Sequence, residues 1–329
     1  MEHIKVAGLP FEASRIALGT WAIGGWMWGG TEEKDAIATI HHALDLGVNL
    51  IDTAPVYGFG QSEEIVGKAL EGRRDKVLIA TKAGLDWTGR QHRAQLTRAR
   101  LEQELEDSLR RLKTDVIDIY QVHWPDEATA FDETARTLEG FRRDGKIRAI
   151  GVSNFSPEQM DACAPRHPSP PSQPPYNLFE REIENDVLPY AKKHDIVVLA
   201  YGALCRGLLS GRITMDTTFD GDDLRNNDPK FLPDRRGQYL AAVGKLDALA
   251  KEKFGKPVLA LAVRWILDRG DTIALWGARR PSQLDAVKDV MGWRIDDATM
   301  KEIDKILDET VKDPVGPEFM APARTKKVA

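Results

Sequence analysis

Asp52 and Tyr57 in IDTAPVYG, Lys82 in LIATKAG and His123 in IYQVHW each stand just past an apolar run. Together they are the residue types needed to hand a proton to a carbonyl oxygen while something else attacks its carbon. A free phenol, with a pKa of about 10, is a poor acid near neutrality. An ammonium held against the phenol oxygen favours the phenolate and lowers that pKa, and a carboxylate keeps the ammonium charged and in place. Tyr57, Lys82 and Asp52 fit these three roles, and the imidazole of His123 is suited to donate a hydrogen bond to the carbonyl oxygen. Taken singly, each has a plainer reading. Asp52 can cap a turn, Tyr57 can be an amphipathic rim residue, Lys82 a surface charge and His123 a satisfied imidazole beside Trp124. Their joint occurrence at the ends of three apolar runs favours the catalytic set.

Such a set needs elements that bring distant positions together. Eight apolar, β-type runs punctuate the chain: IALGTWA, VNLIDTA, KVLIATKA, VIDIYQV, IRAIGVSN, SQPPYN, IVVLAYG and TIALWGA. Eight is the count that closes a parallel barrel, and near-continuous apolar runs are those of strands covered on both faces. The prolines make SQPPYN the weakest of them. The expected architecture is α/β, a (β/α)8 TIM barrel with an N-terminal hairpin-like segment and a long loop after the seventh strand. In that fold the C-terminal strand ends form one face, where chemistry is done.

Amphipathic helices lie between the runs. TEEKDAIATIHHALDLG carries Ile37, Ile40, Ala43 and Leu44, with Thr31 expected as cap and Gly47 as stop. LTRARLEQELEDSLRRLK shows a stripe at Leu101, Leu105, Leu109 and Leu112. SPEQMDAC opens with Ser156 as N-cap and Pro157 at the first helical position. The polar stretch 205–237 is long for a loop in a compact domain, and such loops are functional or disordered. Its Asp216, Asp220, Asp222 and Asp223 fit no EF-hand spacing and read as a solvated loop. The final DPVGPEFMAPARTKKVA is expected not to be helical, and to lie across the barrel rim or fray.

The 329 residues read as one domain, 1–329, because the proline cluster between Cys163 and Pro175 is too short for an interdomain linker. A net charge of −5 argues against dependence on nucleic acid or anionic lipid. The pairs Arg73-Arg74, Arg110-Arg111 and Arg142-Arg143 read as solvated helix faces or ends. Cys163 and Cys205 have no CxxC spacing, which suits a reducing compartment. With no signal-like start and no apolar stretch of 18 residues, a soluble cytoplasmic protein is expected. A metal-dependent barrel hydrolase would need an HxH pair or HExxH, and neither occurs; His41 and His42 are neighbours on a helix.

Several segments in order resemble the aldo-keto reductase superfamily, closest to its bacterial general-stress branch. They are LGTWAIGG, IDTAPVYGFGQSEEIVGKAL, GKIRAIGVSNF, QPPYNLFERE, LAYGALCRGLLSG and ALWGARRPSQL, and the likeness covers nearly the whole chain. It implies an Asp52, Tyr57, Lys82, His123 tetrad and a reductase of aldehydes or ketones. Some relatives on this fold serve as nonenzymatic, cofactor-retaining sensor or channel subunits, which is the alternative the resemblance also carries.

None of the four residues can supply hydride, so a nicotinamide or flavin is required. A Rossmann reading needs GxGxxG after the first strand, where GGWMWGG stands instead, and GFGQSEE lacks the third glycine. The resemblance implies a dinucleotide stretched across the barrel mouth. Thr20, Trp21 and Asp52 would lie beneath the nicotinamide, Ser153, Asn154 and Gln173 would hold its carboxamide, and Tyr201 would stack on its ring. Gly202, Ala203, Leu204, Cys205, Arg206 and Gly207 would meet the pyrophosphate, with Cys205 more plainly a small packed residue. Gly277, Ala278, Arg279, Arg280 and Gln283 would take the adenosine end. Guanidinium groups before a helix starting at Pro281 suit a 2′-phosphate, which favours NADP(H) over NAD(H). Val287 stands where many relatives have an adenine-contacting asparagine, a departure that puts that contact in doubt. Trp21, Trp26, Trp28, Trp87 and Trp124 fall near strand ends, and an apolar mouth of this kind suits small aldehydes, dicarbonyls such as methylglyoxal, and aromatic aldehydes.

Overall fold

The computed structural model describes residues 1–87, 93–163 and 170–322. In chain order the elements are β1 (His3–Ile4), β2 (Ala13–Ser14), β3 (Ile16–Gly19), α1 (Glu33–Asp45), β4 (Leu50–Asp52), α2 (Gln61–Ala69), β5 (Leu78–Ala83), β6 (Leu85–Asp86), β7 (Arg93–Ala94) and α3 (Arg98–Leu112). They continue as β8 (Ile117–Val122), α4 (Phe131–Arg143), β9 (Ile147–Ser153), α5 (Pro157–Cys163), β10 (Ser172–Gln173), α6 (Val187–Lys193), β11 (Val198–Ala200), α7 (Pro233–Phe254), α8 (Val258–Leu267), β12 (Thr272–Gly277) and α9 (Asp297–Thr310). Strands β3, β4, β5, β8, β9, β10, β11 and β12 pair in parallel and close into a barrel, with the helices around it.

Because side chains alternate across a strand, each barrel strand sends every second residue inward. The lower interior is filled by Ala17, Leu50, Leu78, Ala80, Ile119, Ala149, Leu199, Ile273 and Leu275. Counting two residues further along three of these strands reaches Asp52, Lys82 and Gln121, and a second step on the β8 line reaches His123. Register joins the lines, with Asp52 opposite Ala80, Lys82 opposite Gln121 and Ser153 opposite Gln173. The β1–β2 hairpin adds Val6 and Ala13 to the same interior cluster, so it closes the end of the barrel opposite the site.

SQPPYN supplies strand only at Ser172–Gln173, and Pro175 makes a single bridge to Tyr201, as the missing proline N–H dictates. Ser156 caps α5 as expected, accepting from the Gln159 amide, and Gln159 Oε1 accepts in return from the Ser156 amide. Thr31 is not the cap of α1; Glu32 holds that position without a side-chain bond, and the Thr31 hydroxyl is buried unpartnered. Two arginines read as solvated are structural. Arg74 bonds Asp118 and the Val77 and Val116 carbonyls, and Arg111 bonds the buried Glu63. The stretch after β11 is ordered by 3-10 turns at Cys205–Ser210, Leu224–Asn226 and Pro229–Phe231 before α7 begins. In the C-terminal segment a 3-10 turn forms at Glu318–Met320, where none was expected, while 323–329 lies outside the described residues. Of the proline cluster, 164–169 lies outside them too.

Candidate active site

Lys82 Nζ donates to Asp52 Oδ2 at 2.7 Å and to the Thr53 carbonyl at 2.9 Å, deep in the barrel mouth. The other oxygen, Asp52 Oδ1, accepts from Gln173 Nε2 at 2.7 Å and from Gln121 Nε2 at 3.3 Å. Tyr57 comes from the loop between β4 and α2, and its ring centroid is 5.0 Å from the Lys82 ammonium. The His123 ring meets Tyr57 edge-on at 5.9 Å, and Trp21 stacks beside it at 5.9 Å. Two glycines allow this approach. A Cβ on Gly24 would lie 2.6 Å from the Tyr57 carbonyl carbon, and Gly58, at a φ of 66°, has the Gly24 oxygen where its own Cβ would be. The four residues read from the sequence are thus gathered at one place.

The electrostatics differ from the expectation in one respect. Burial, and next the charge of Asp52, push the Tyr57 phenol well above its ordinary range. Burial lowers the Lys82 ammonium, opposed by Asp52 and Glu63. At Tyr57, burial and the Asp52 charge outweigh the lowering expected from the neighbouring ammonium. Tyr57 therefore holds its proton at neutral pH.

The residues expected around a nicotinamide form one connected chain. Tyr201 Oη donates to Asn154 Oδ1 at 2.9 Å, Asn154 Nδ2 to the His123 carbonyl at 3.0 Å and to Ser153 Oγ at 3.1 Å, and Ser153 Oγ to the Gln173 carbonyl at 2.8 Å. Thr20 Oγ1 donates to the Asp52 carbonyl at 2.9 Å. From here a cavity of about 540 Å³ runs past Thr20, Trp21, Tyr57 and Tyr201, along Gly202, Ala203, Leu204, Arg206 and Gly207, to Gly277, Ala278, Arg279 and Gln283. Gly202 and Gly207 adopt positive φ, which leaves bare backbone against it. Cys205 is fully buried with its thiol pushed up to about 12, a packed residue with no reactive character.

Two arginines are placed otherwise than expected. The Arg206 guanidinium is sunk in an ion cluster with Glu180 and Asp228, which Lys230 joins through Glu180, so a pyrophosphate would meet the loop's backbone and not that side chain. Arg279 donates to the Trp28 and Gly30 carbonyls and so holds the loop after β3. The Arg280 side chain is exposed, while the Arg279 and Arg280 amides bond Gln283 Oε1 at 2.9 and 3.1 Å. Pro281 opens a single 3-10 turn and not an α-helix, and Val287 is buried. Burial, then Arg225 and Arg280, lowers the Arg279 guanidinium; Asp223, which pairs with Arg225, opposes them only in part, so an anion at this end of the cavity would relieve Arg279 and Arg280. Bare backbone along the middle and cations at the end fit a phosphate-bearing dinucleotide.

The sequence reading missed Gln121 and Arg225. Gln121 stands two residues before His123 and therefore on the same inward line, a signal that was present. Arg225 reaches the mouth only because the loop after β11 folds back. Asp222 accepts from the Met27 and Gly29 amides, Leu224 donates to the Met27 carbonyl, and Arg225 lies over the Trp28 ring. Above Tyr57 an apolar rim packs Trp26, Trp87 and Trp124 against Ala54, Val56 and Leu85, with Phe59 5.0 Å from Trp26. Trp21 and Trp28 meet edge-on at 5.6 Å. Among the described residues no three His, Cys, Asp or Glu side chains are grouped to hold a metal, and no helix is long and apolar enough to cross a membrane.

The profile of the Aldo/keto reductase family matches residues 15–308. The chain belongs to the aldo-keto reductase family. It is 58% identical to aldo-keto reductase YhdN of Bacillus subtilis (strain 168), over the whole of both chains. The glycerol dehydrogenase AKR11B4 from Gluconobacter oxydans shares its structure with a TM-score of 0.89 at 56% identity, over 97% of this chain and 99% of that one. It is 37% identical to the NADH-specific methylglyoxal reductase of Escherichia coli (strain K12), over 86% of this chain and 91% of that protein. As an aldo-keto reductase it is an oxidoreductase working between carbonyl and alcohol groups.

Proposed function

We propose that this aldo-keto reductase reduces small aldehydes or ketones to alcohols, with hydride from NADPH and the proton from Tyr57. The observation that carries the reading is the meeting of Tyr57, the Lys82–Asp52 pair and His123, with Tyr57 and Asp52 on the wall of the cavity. When bound, the nicotinamide supplies the hydride. Thr20, Trp21, Ser153, Asn154, Gln173 and Tyr201 would hold its ring end, the backbone at 202–207 its phosphates, and 277–280 with Gln283 its adenosine.

The side chains of the chain do the remaining work. Tyr57 keeps its proton until negative charge develops on the carbonyl oxygen, and donates it there. Lys82, anchored by Asp52 and Thr53, stabilises the phenolate that is left. His123 orients the carbonyl oxygen. The indole rim excludes water and limits substrates to small or flat carbonyl compounds, such as dicarbonyls and aromatic aldehydes. NADPH is favoured over NADH because the exposed Arg280 guanidinium, next to the crowded Arg279 and Arg225, suits a 2′-phosphate. The NADH preference in the name of the Escherichia coli relative makes this the point to test first. The whole chain acting as one domain in the cytoplasm completes the reading.

The test follows loss of reduced-nicotinamide absorbance with NADPH or NADH and a panel of small aldehydes. Turnover faster with NADPH supports the proposal. Tight NADPH binding with no turnover of any aldehyde would instead mark a sensor or regulatory subunit, and preference for NADH would remove the role of Arg280.

A further inference from the structure

Ser62 and Glu63 open α2 directly after the loop that carries Tyr57, and their side chains reach three barrel strand ends. Thr53 Oγ1 and Ser62 Oγ are 2.9 Å apart, Ser62 Oγ donates to Thr20 Oγ1 at 2.7 Å, and Thr20 Oγ1 donates on to the Asp52 carbonyl. Glu63 Oε1 accepts from Thr81 Oγ1 at 2.7 Å, and Oε2 from Arg111 Nε at 2.7 Å. Each threonine adjoins a site residue: Thr20 precedes Trp21, Thr53 follows Asp52, and Thr81 precedes Lys82. The three threonines, Ser62 and Glu63 are all fully buried. There is no slack behind them, because a Cβ on Gly67 of α2 would sit 2.4 Å from the Arg111 carbonyl oxygen.

A buried ion pair is a poor way to gain stability, since desolvation offsets much of the attraction. Glu63 does something that an apolar side chain of its size cannot. It places a negative charge behind β5, on the face opposite Asp52, where it acts to keep Lys82 charged. The groups around Lys82 are then Asp52, Tyr57 and His123 inside the barrel, Glu63 with its partner Arg111 behind it, and Glu104 bonded to the Gly84 amide.

We propose that Ser62 and Glu63 are positioning residues for the proton transfer, setting the spacing of Tyr57 from Lys82 through the three threonines and holding Lys82 as an ammonium. This rests on the assignment of Tyr57 and Lys82 to proton delivery.

The test uses the full-length chain as wild type, Thr81→Val, Thr81→Ser, Ser62→Ala and Glu63→Gln. It measures kcat and KM across pH, and separately titrates the Lys82 Nζ resonance by nitrogen-15 NMR. Thr81→Val is expected to lower kcat by about 10-fold with KM for NADPH within about 2-fold, because small misplacements of reacting groups are costly. Thr81→Ser is expected to restore it. Glu63→Gln is expected to move the Lys82 titration and the high-pH limb of kcat together to lower pH. Should Glu63→Gln fail to fold, Thr81→Val and Ser62→Ala carry the test. Wild-type kcat in Thr81→Val with only a lowered melting temperature, or an unmoved Lys82 titration in a folded Glu63→Gln, overturns the proposal. A Lys82 resonance that moves as expected in a protein that reduces no aldehyde would sink the assigned reaction and leave the positioning of Lys82 standing.

Discussion

At the scale of single residues, an ammonium has three N–H donors and an arginine has a planar fork. Lys82 uses two of its three on Asp52 and Thr53, which leaves one for the phenol side. Lys82→Arg cannot reproduce this tetrahedral division, so despite keeping the charge it is expected to lower kcat by about 10²-fold or more. NADPH binding, followed by tryptophan fluorescence, should show whether the loss lies in chemistry. Tyr57→Phe removes only the transferable proton and is expected to cost about 10²–10⁴-fold in kcat, with the fold intact by circular dichroism. The two neighbouring arginines are expected to separate in a binding assay. Arg280→Ala should weaken NADPH and leave NADH unchanged, whereas Arg279→Met, which frees the Trp28 and Gly30 carbonyls, should weaken both dinucleotides.

At the scale of elements, the loop after β11 is pinned from below by the cluster of Glu180, Arg206, Asp228 and Lys230. Burial alone would raise the Glu180 carboxyl, but Arg206 and Lys230 outweigh it and hold it at about 2. A folded pKa below the unfolded value of about 4.3 means that this stabilisation is present above that pH and is lost as pH falls towards 2. Urea unfolding at a series of pH values should show a decline across that window that Glu180→Gln, less stable at neutral pH, lacks. Strands declared themselves as near-continuous apolar runs and helices through a period of 3.6, and the ends of those runs marked Asp52, Lys82 and His123. The partners of Arg206, Arg279, Arg74 and Arg111 did not, because a guanidinium suits carboxylate, carbonyl and phosphate alike. Asp222 was read as solvated for a related reason. Its partners are backbone amides at Met27 and Gly29, which leave no mark in side-chain sequence.

At the scale of the whole molecule, stability and chemistry occupy different depths of one barrel. The lower layers are aliphatic, and Leu199→Ala in them is expected to cost about 2–5 kcal/mol in denaturant unfolding while sparing KM. The β1–β2 hairpin seals the far end with Val6 and Ala13, so the cavity beside Tyr57 does not open through the bottom of the barrel. Two molecules that must react inside such a vessel form a queue. The one lying against the inner wall enters first and leaves last, and the one nearer the rim comes and goes over it. With the dinucleotide on the inner wall, steady-state kinetics are expected to be ordered, with oxidised cofactor competing only against reduced cofactor and the alcohol departing before the oxidised cofactor.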